Sequence, residues 1–326
     1  MALIPESDKH KAQIDAGTKG RKRGHEFEKT LAAAMSELKF TRDLQRPPSS
    51  HVVTGNPAVE LMRRIMHDCR ITHFAKVKAW WLGGLATAGE GDRIDSKAGL
   101  AVTASKSDVL VEIHYRGSTR RTGVSVKTCG NQKPTNDQLY FTTATAFCAL
   151  LRRNGIEVSA HAEKGLRMFC GDNGFRPIDM GCRDDRKSDP DRWFWEELPA
   201  SSRAELEKLF TKKQRDISTV LFQKAYANDP FPPEFLLHQT VRPDILDNCE
   251  MAILSIAELV KRSCSYRPFE TKGYFVRKGR FKGDPAQHLA PRFGFIQFQR
   301  SGQKQHRTQL QFNLEAGYFY KLDPAE

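Results

Sequence analysis

The chain has 326 residues, of which 39% are hydrophobic and 28% charged, so it can bury a full core and is too apolar for a disordered chain. Lysine and arginine number 52 against 39 acidic residues, a net charge of +13 that favours a polyanionic partner such as nucleic acid. The sequence has no apolar run long enough to cross a bilayer, no signal peptide and no Gly-rich phosphate loop. We therefore expect a cytoplasmic protein that uses neither a membrane nor a nucleotide cofactor.

The cysteines do not form a recognisable framework. There are seven of them, an odd number, and no pair has the C-x-x-C spacing. Regularly spaced even sets are typical of disulfide-stapled domains, and paired C-x-x-C motifs are typical of structural zinc sites. The pattern therefore predicts neither disulfides nor a zinc knuckle.

An amphipathic helix is predicted over residues 25–40, after a basic arm or helix lead-in that contains KGRKRG at 19–24. Its apolar residues recur at helical spacing: Phe27, Leu31, Ala34, Met35 and Leu38. Glu28 flanks this stripe, where its side chain can reach the rim of an adjoining sheet. A solvated helix charge that balances Lys29 explains Glu28 equally well at this point.

The segments 107–115 and 122–128 predict a β-hairpin with a turn near Ser118. Apolar and polar residues alternate in both strands, so one face packs and the other carries polar groups. The expected pairing sets position 108 opposite position 128 and brings Asp108 beside Lys127. A carboxylate beside an ammonium is suited to a Mg²⁺ ion and a phosphate group.

Two other interpretations bear on this hairpin. An Asp and a Lys on facing strands are often only a surface ion pair that contributes about 0 to 1 kcal/mol. Glu112 lies on the same strand face as Asp108, but four residues at about 3.3 Å each put it roughly 13 Å away. We therefore do not expect Glu112 to share a metal ion with Asp108.

An aspartate that opens one strand, followed on the next strand by acid-x-lysine, resembles the PD-(D/E)xK nuclease superfamily, which includes most Type II restriction endonucleases. The matching residues are Ser107 and Asp108 in the first strand and Ser125 to Lys127 in the second. Serine replaces the proline before the aspartate, and Ser125 stands where the second acid is usual. The resemblance implies that Asp108 binds metal and that Lys127 orients water and stabilises charge.

Because Ser125 stands where the second acid is usual, the site has one carboxylate fewer than the pattern. Glu28 is the candidate to supply it. The run GHEFE resembles the first helix of many of these nucleases, whose glutamate joins the metal shell. The resemblance thus implies Mg²⁺ bound by Asp108 and Glu28, with Glu26 the weaker alternative. It also implies an α/β (α+β) fold, a restriction-endonuclease-like central mixed sheet flanked by helices.

Beyond the hairpin the chain is expected to be largely helical. Residues 134–153 predict a core helix, 165–171 a further strand, and 201–225 and 247–263 two amphipathic helices. Asn131 and Gln132, just after Lys127, are candidates for contact with the DNA backbone, although loop residues of this kind are often only solvated.

The C-terminal region is basic and rich in strands. Residues 272–321 carry ten basic and two acidic side chains, and 293–300 and 308–314 predict a β-hairpin. Arginine and glutamine hydrogen-bond base edges, and a β-ribbon can enter the major groove. The candidates for DNA contact at the hairpin tip are Arg300, Gln303, Lys304 and Gln305. A solvated turn is the alternative interpretation.

These observations predict a nuclease core at 1–180, a helical region at 181–268 and a basic, β-hairpin-rich, DNA-contacting region at 269–326, or else one compact domain. The expected activity is Mg²⁺-dependent, sequence-specific hydrolysis of double-stranded DNA by a Type II restriction endonuclease. A homodimer is expected, because two sites are needed to cut both strands of a palindromic target. The alternatives are a structure-directed DNA repair or recombination nuclease, and a non-catalytic DNA-binding protein on a nuclease-like fold.

Overall fold

The computed structural model of the protein describes residues 5, 7–85, 89–96, 98–129, 134–181, 189–226, 228–240, 249–275, 287–300 and 308–321. These residues divide into two compact units. The first lies within Met1–Asp137, Phe222–Leu259 and Ala316–Glu326, and the second within Gln138–Leu221 and Val260–Glu315. Each unit is built from separated segments, whereas the expected division at 180 and 268 follows the order of the chain.

The first helix, α1, is longer than predicted. It runs from Asp8 to Glu37, and the Ser7 side chain caps it by accepting from the His10 amide. The basic run 19–24 is therefore part of the helix, which agrees with a helix lead-in and not with a separate basic arm. The other helices are α2 Pro57–Asp68, α3 Ala144–Arg153, α4 Ala160–Cys170, α5 Ala200–Lys212, α6 Gln214–Gln223, α7 Ile256–Tyr266 and α8 Ala316–Phe319.

A six-stranded mixed sheet forms the centre of the first unit, in the order β1-β7-β6-β4-β3-β2. All neighbouring pairs are antiparallel except β4 and β6, which are parallel. The chain between β4 and β6 is a long crossover that includes much of the second unit. The strands are β1 Val52–Gly55, β2 Lys76–Trp81, β3 Val109–Tyr115, β4 Ser118–Cys129, β6 Pro233–Thr240 and β7 Cys249–Ser255.

One face of this sheet packs against α1 and α2, so the expectation of a mixed sheet flanked by helices is confirmed at that level. The predicted apolar stripe of α1 supplies Phe27, Leu31 and Met35, all fully buried. The sheet supplies the residues expected to point inward: Val109, Val111, Ile113, Val124 and Val126. Burial of such side chains stabilises the fold by about 1.5–3 kcal/mol each.

The second unit holds a five-stranded sheet in the order β5-β11-β10-β9-β8. Its strands are β5 Asp137–Thr143, β8 Glu270–Tyr274, β9 His288–Phe293, β10 Ile296–Arg300 and β11 Gln309–Leu314. The predicted C-terminal hairpin is confirmed, since β10 and β11 pair in antiparallel register. Aromatic rings fill the core of this unit, with Phe210 stacked at 4.8 Å from Phe298 and Phe147 at 4.6 Å from Phe312.

Three predicted elements differ from the structure. Residues 137–143 form β5 before α3 begins, because the Thr143 side chain caps that helix by accepting from the Ala146 amide. Residues 165–171 belong to helix α4, which ends at Gly171 with a left-handed φ of 76°. The segment 249–255 is strand β7 and not helix. It lies between β1 and β6, and a strand buried on both faces lacks the alternation that identifies strands in sequence.

The β3–β4 hairpin turns earlier than predicted. Arg116 and Gly117 form the turn with φ values of 47° and 71°, and Tyr115 pairs with Ser118. Two left-handed residues are typical of the tight turns that match the twist of a hairpin, and glycine adopts this conformation without strain. The expected pairing of position 108 with position 128 is therefore wrong. Continued beyond β3, the observed register sets Asp108 across from Ser125.

In the part of the chain that is described, no helix combines the length and the apolar character needed to span a membrane.

Candidate active site

Asp108 directly precedes β3 and lies across from Ser125 of β4. Its carboxylate accepts hydrogen bonds from that neighbouring strand. Its Oδ2 accepts from the Val126 amide at 2.6 Å and from the Ser125 hydroxyl at 3.2 Å. The Lys127 ammonium lies 3.5 Å from the same oxygen. The predicted proximity of Asp108 and Lys127 is thus present, although a different register produces it.

The backbone of Asp108 brings a second segment to the site. Its carbonyl oxygen accepts from the amides of Leu82 at 2.8 Å and Gly83 at 3.1 Å, just after β2 ends. These bonds place the preceding residue, Trp81, beside helix α1. The indole Nε1 of Trp81 then donates to Glu28 Oε2 at 3.0 Å. Glu28, Asp108 and Lys127 are therefore brought together from three separate elements.

Glu28 is buried, with 7% of its surface exposed, so its interpretation as a solvated helix charge is wrong. Gly83 makes room for it, because a Cβ atom at position 83 would lie 2.0 Å from Glu28 Oε2. Only glycine leaves the carboxylate in this position. Glu26, the weaker candidate, is exposed on the same helix.

The pKa of Glu28 is raised from 4.5 to about 8. Burial is the largest cause, followed by repulsion from the Asp108 carboxylate. The Trp81 hydrogen bond and the Lys127 ammonium oppose this shift without overcoming it. The two carboxylates therefore repel each other in a partly desolvated place, which a divalent cation would relieve.

Two lysines of the site shift in opposite directions. Burial lowers the pKa of Lys127, but the carboxylates of Asp108, Glu28 and Asp137 raise it more, so the pKa lies above its ordinary value. Burial and the nearby Lys127 charge lower the pKa of Lys106 to about 7, against the attraction of Asp108 and Asp229. Lys127 therefore stays charged at neutral pH, while Lys106 titrates there.

The two serines at departures from the superfamily pattern both have partners. Ser107, in the place of the usual proline, is fully buried and donates its hydroxyl to the Phe231 carbonyl at 2.6 Å. Ser125, in the place of the second acid, donates to Asp108. It therefore supplies a neutral donor where an acid would add charge.

The other candidates of the sequence are placed differently. Glu112 binds Arg121 at 2.6 Å and His114 at 2.9 Å, consistent with its expected separation from Asp108. The Arg300 guanidinium lies 4.1 Å from the Phe194 ring and donates to the Trp193 carbonyl, so it packs within the second unit. Five predicted DNA contacts lie outside the described residues: Asn131, Gln132, Gln303, Lys304 and Gln305.

Sequence reasoning missed several groups at this site, namely Trp81, Gly83, Lys106, Asp137 and His238. A Gly pair that follows the paired tryptophans of β2 after one leucine was the available signal for Gly83, since glycine often marks a close approach of another group. No sequence signal joins Lys106 or His238 to Asp108.

The carboxylates fit a hard cation. Over the described ranges, no group of three or more His, Cys, Asp or Glu side chains is arranged to hold a metal ion. Mg²⁺ does not need one, because it keeps several waters and usually takes one or two carboxylates together with substrate phosphates. Glu28 and Asp108 are such a pair, and their mutual repulsion favours binding of a cation. The residues present therefore fit Mg²⁺.

Comparison of the sequence with models of known protein families finds no match. A comparison with curated proteins finds none either.

Proposed function

We propose that the protein is a Mg²⁺-dependent endodeoxyribonuclease that hydrolyses phosphodiester bonds in double-stranded DNA, as a Type II restriction endonuclease does. The observation that carries this proposal is the meeting of Glu28, Asp108 and Lys127 at the junction of α1, β3 and β4. Two carboxylates and a charged lysine in one partly buried place are what phosphodiester hydrolysis needs.

The order of the elements supports the same proposal. The helix that carries Glu28 is followed, after β1 and α2, by the antiparallel strands β2, β3 and β4, and a crossover leads to β6, which runs parallel to β4. The proposed site residues come from the helix and from the junction of the second and third of these strands. A restriction-endonuclease-like core has this arrangement, and the net charge of +13 suits a DNA substrate.

In this proposal Glu28 and Asp108 hold Mg²⁺, with Trp81 and the Val126 amide orienting the two carboxylates. When bound, the ion supplies Lewis-acid polarisation of the phosphate and lowers the pKa of a bound water. The Lys127 ammonium donates to the attacking water or to a phosphoryl oxygen and stabilises the negative charge that develops there. The water gives up a proton to solvent as its oxygen bonds to phosphorus, the bond from phosphorus to one ester oxygen breaks, and that oxygen takes up a proton from solvent.

A homodimer follows from the substrate, since one site cuts one strand and a duplex cut needs two. The glutamine-rich C-terminal hairpin favours recognition of DNA sequence over recognition of DNA shape. A structure-directed repair or recombination nuclease is therefore the second candidate. A non-catalytic DNA-binding protein is the third candidate, favoured by the neutral Ser125 beside Asp108. Unaltered or restored nicking by Ser125→Glu would argue against it.

The test is incubation of the purified protein with plasmid and phage DNA in Mg²⁺ or in EDTA. Lys127→Ala is the informative variant, and Lys76→Ala, which removes an exposed lysine of β2, is the matched control. We expect discrete bands that need Mg²⁺, vanish in Lys127→Ala and persist in Lys76→Ala. Intact DNA with salt-sensitive binding under all metals would favour the non-catalytic alternative.

A further inference from the structure

His238 occupies a fixed and fully buried position on β6. In the parallel pairing of β4 and β6 it is the register partner of Lys127, so both side chains project from the same face of the sheet on neighbouring strands. On the other side His238 pairs with Ala252 of β7, which offers no polar side chain. On the β4 side, therefore, the strand neighbour of His238 is a residue of the proposed site.

The two ring nitrogens of His238 have different surroundings. The Tyr320 hydroxyl donates to the His238 carbonyl oxygen at 2.8 Å, so its oxygen is free to accept from Nδ1 at 3.1 Å. These partners assign a proton to Nδ1. The other nitrogen, Nε2, lies 2.6 Å from Asp137 Oδ2, without the geometry of a hydrogen bond. This contact is attractive when the imidazole carries a proton on both nitrogens. Tyr320 thus fixes the ring, and the ring lies against the carboxylate.

Asp137 differs from His238 in exposure, since 21% of its side chain is accessible while the histidine has none. Its negative charge acts on Lys127, together with those of Asp108 and Glu28. Asp137 is the first residue of β5, and nothing in the sequence pattern of the site includes it. It is the third carboxylate whose charge stabilises the Lys127 ammonium.

We propose that Asp137 and His238 are positioning residues of this site: His238, fixed by Tyr320, holds the Asp137 carboxylate beside Lys127, so that Asp137 as well as Asp108 holds the ammonium in place. The kinetic consequence rests on the proposed nuclease function. Neither residue touches the reacting phosphate; both act through Lys127.

The first test is steady-state DNA cleavage by Asp137→Asn and His238→Gln. Loss of outer groups that orient a catalytic residue typically costs about 10- to 100-fold in rate. We expect kcat to fall in that range while KM for DNA stays within about twofold, because substrate binding is unaffected. Asp137→Glu, which keeps the charge, should recover part of kcat. Asp179→Asn, which removes an exposed carboxylate paired with Arg176, is the control with the same charge change and should leave kcat unchanged.

The second test does not depend on cleavage. Thermal unfolding is measured for Asp137→Asn, Lys127→Met and the double variant, as a double-mutant cycle. We expect Asp137→Asn to lower Tm in the parent protein and to lower it less, or raise it, when residue 127 is Met. Asp179→Asn should give the same Tm change in both backgrounds.

The outcomes separate the two proposals. If the parent protein cuts no DNA under any metal, the nuclease function is overturned. If the double-mutant cycle still shows coupling in that case, the link between Asp137 and Lys127 stands. Additive Tm changes, or cleavage by Asp137→Asn at the parent rate, would overturn the positioning role. A rise in KM without loss of kcat would overturn it as well, since that result indicates a substrate-binding role.

Discussion

The indole N–H of Trp81 donates to Glu28 Oε2 at 3.0 Å, and this bond joins helix α1 to the end of β2. It orients a carboxylate whose pKa burial and Asp108 raise to about 8, and the bond itself favours the ionised form. The proposed metal site therefore depends on an aromatic side chain that binds no metal.

Trp81→Phe should weaken Mg²⁺ binding by about tenfold, the usual cost of losing a group that orients a metal ligand. Phenylalanine keeps most of the ring packing but cannot donate to Glu28, so the pKa of Glu28 should rise further. Isothermal titration of Mg²⁺ into the two proteins measures the effect. Trp80→Phe is the matched control, because Trp80 packs against a different cluster, which includes Leu82 and Leu110. Equal affinities in all three proteins would show that the indole does not orient the carboxylate.

Gly83→Ala should displace Glu28 and abolish Mg²⁺-dependent stabilisation, because the added Cβ would lie 2.0 Å from Oε2. Because the clash involves the end of a side chain that can move, the unfolding free energy should fall by only about 1 kcal/mol, the low end for overpacking. Gly20→Ala, in α1 with nothing within 4 Å of the added atom, should instead raise stability by about 0.5–1 kcal/mol. Urea unfolding with and without Mg²⁺ compares the two. A normal Mg²⁺ response in Gly83→Ala would contradict the steric argument.

The pKa of Glu28 predicts how stability depends on pH. Because the folded pKa of about 8 exceeds the ordinary 4.5, the folded state holds a proton that the unfolded state has released. This contribution is complete below pH 4.5 and is lost as pH rises through 8. Glu28→Gln removes the dependence, so its unfolding free energy relative to the parent should rise between pH 6 and pH 9. Urea unfolding at these pH values, without Mg²⁺, measures this; a constant difference would place the Glu28 pKa near its ordinary value.

Lys106 predicts the opposite sign. Its folded pKa of about 7 is below the ordinary 10.5, so its contribution is present above pH 10.5 and is lost as pH falls through 7. Lys106→Met should therefore gain stability relative to the parent as pH is lowered from 9 to 6. Lys29→Met, at an exposed position of α1, should show no such trend. A stability difference between Lys106→Met and the parent that stays constant from pH 9 to pH 6 would mean that Lys106 is solvated like a surface lysine.

The sequence by itself determined the local features of the site. Alternation in the hairpin correctly separated Val109, Val111 and Val124 from the polar face, and helical spacing placed Phe27 in the core. These periodicities follow from the geometry of single strands and helices, so they do not depend on contacts with the rest of the chain. The proximity of Asp108 and Lys127 does not follow from periodicity alone, because the predicted register differs from the observed one by three residues.

Only the tertiary structure decided the register of the hairpin, the burial of Glu28 and which residues belong to the site. The register follows from left-handed residues at the Arg116–Gly117 turn, and a shift of an odd number of residues would have sent Lys127 to the other face. The Glu28 pKa follows from burial and from the nearby Asp108 carboxylate, and the link from His238 to Lys127 follows from the pairing of β4 with β6. These last two properties arise from contacts between residues distant in the chain, which no local pattern records.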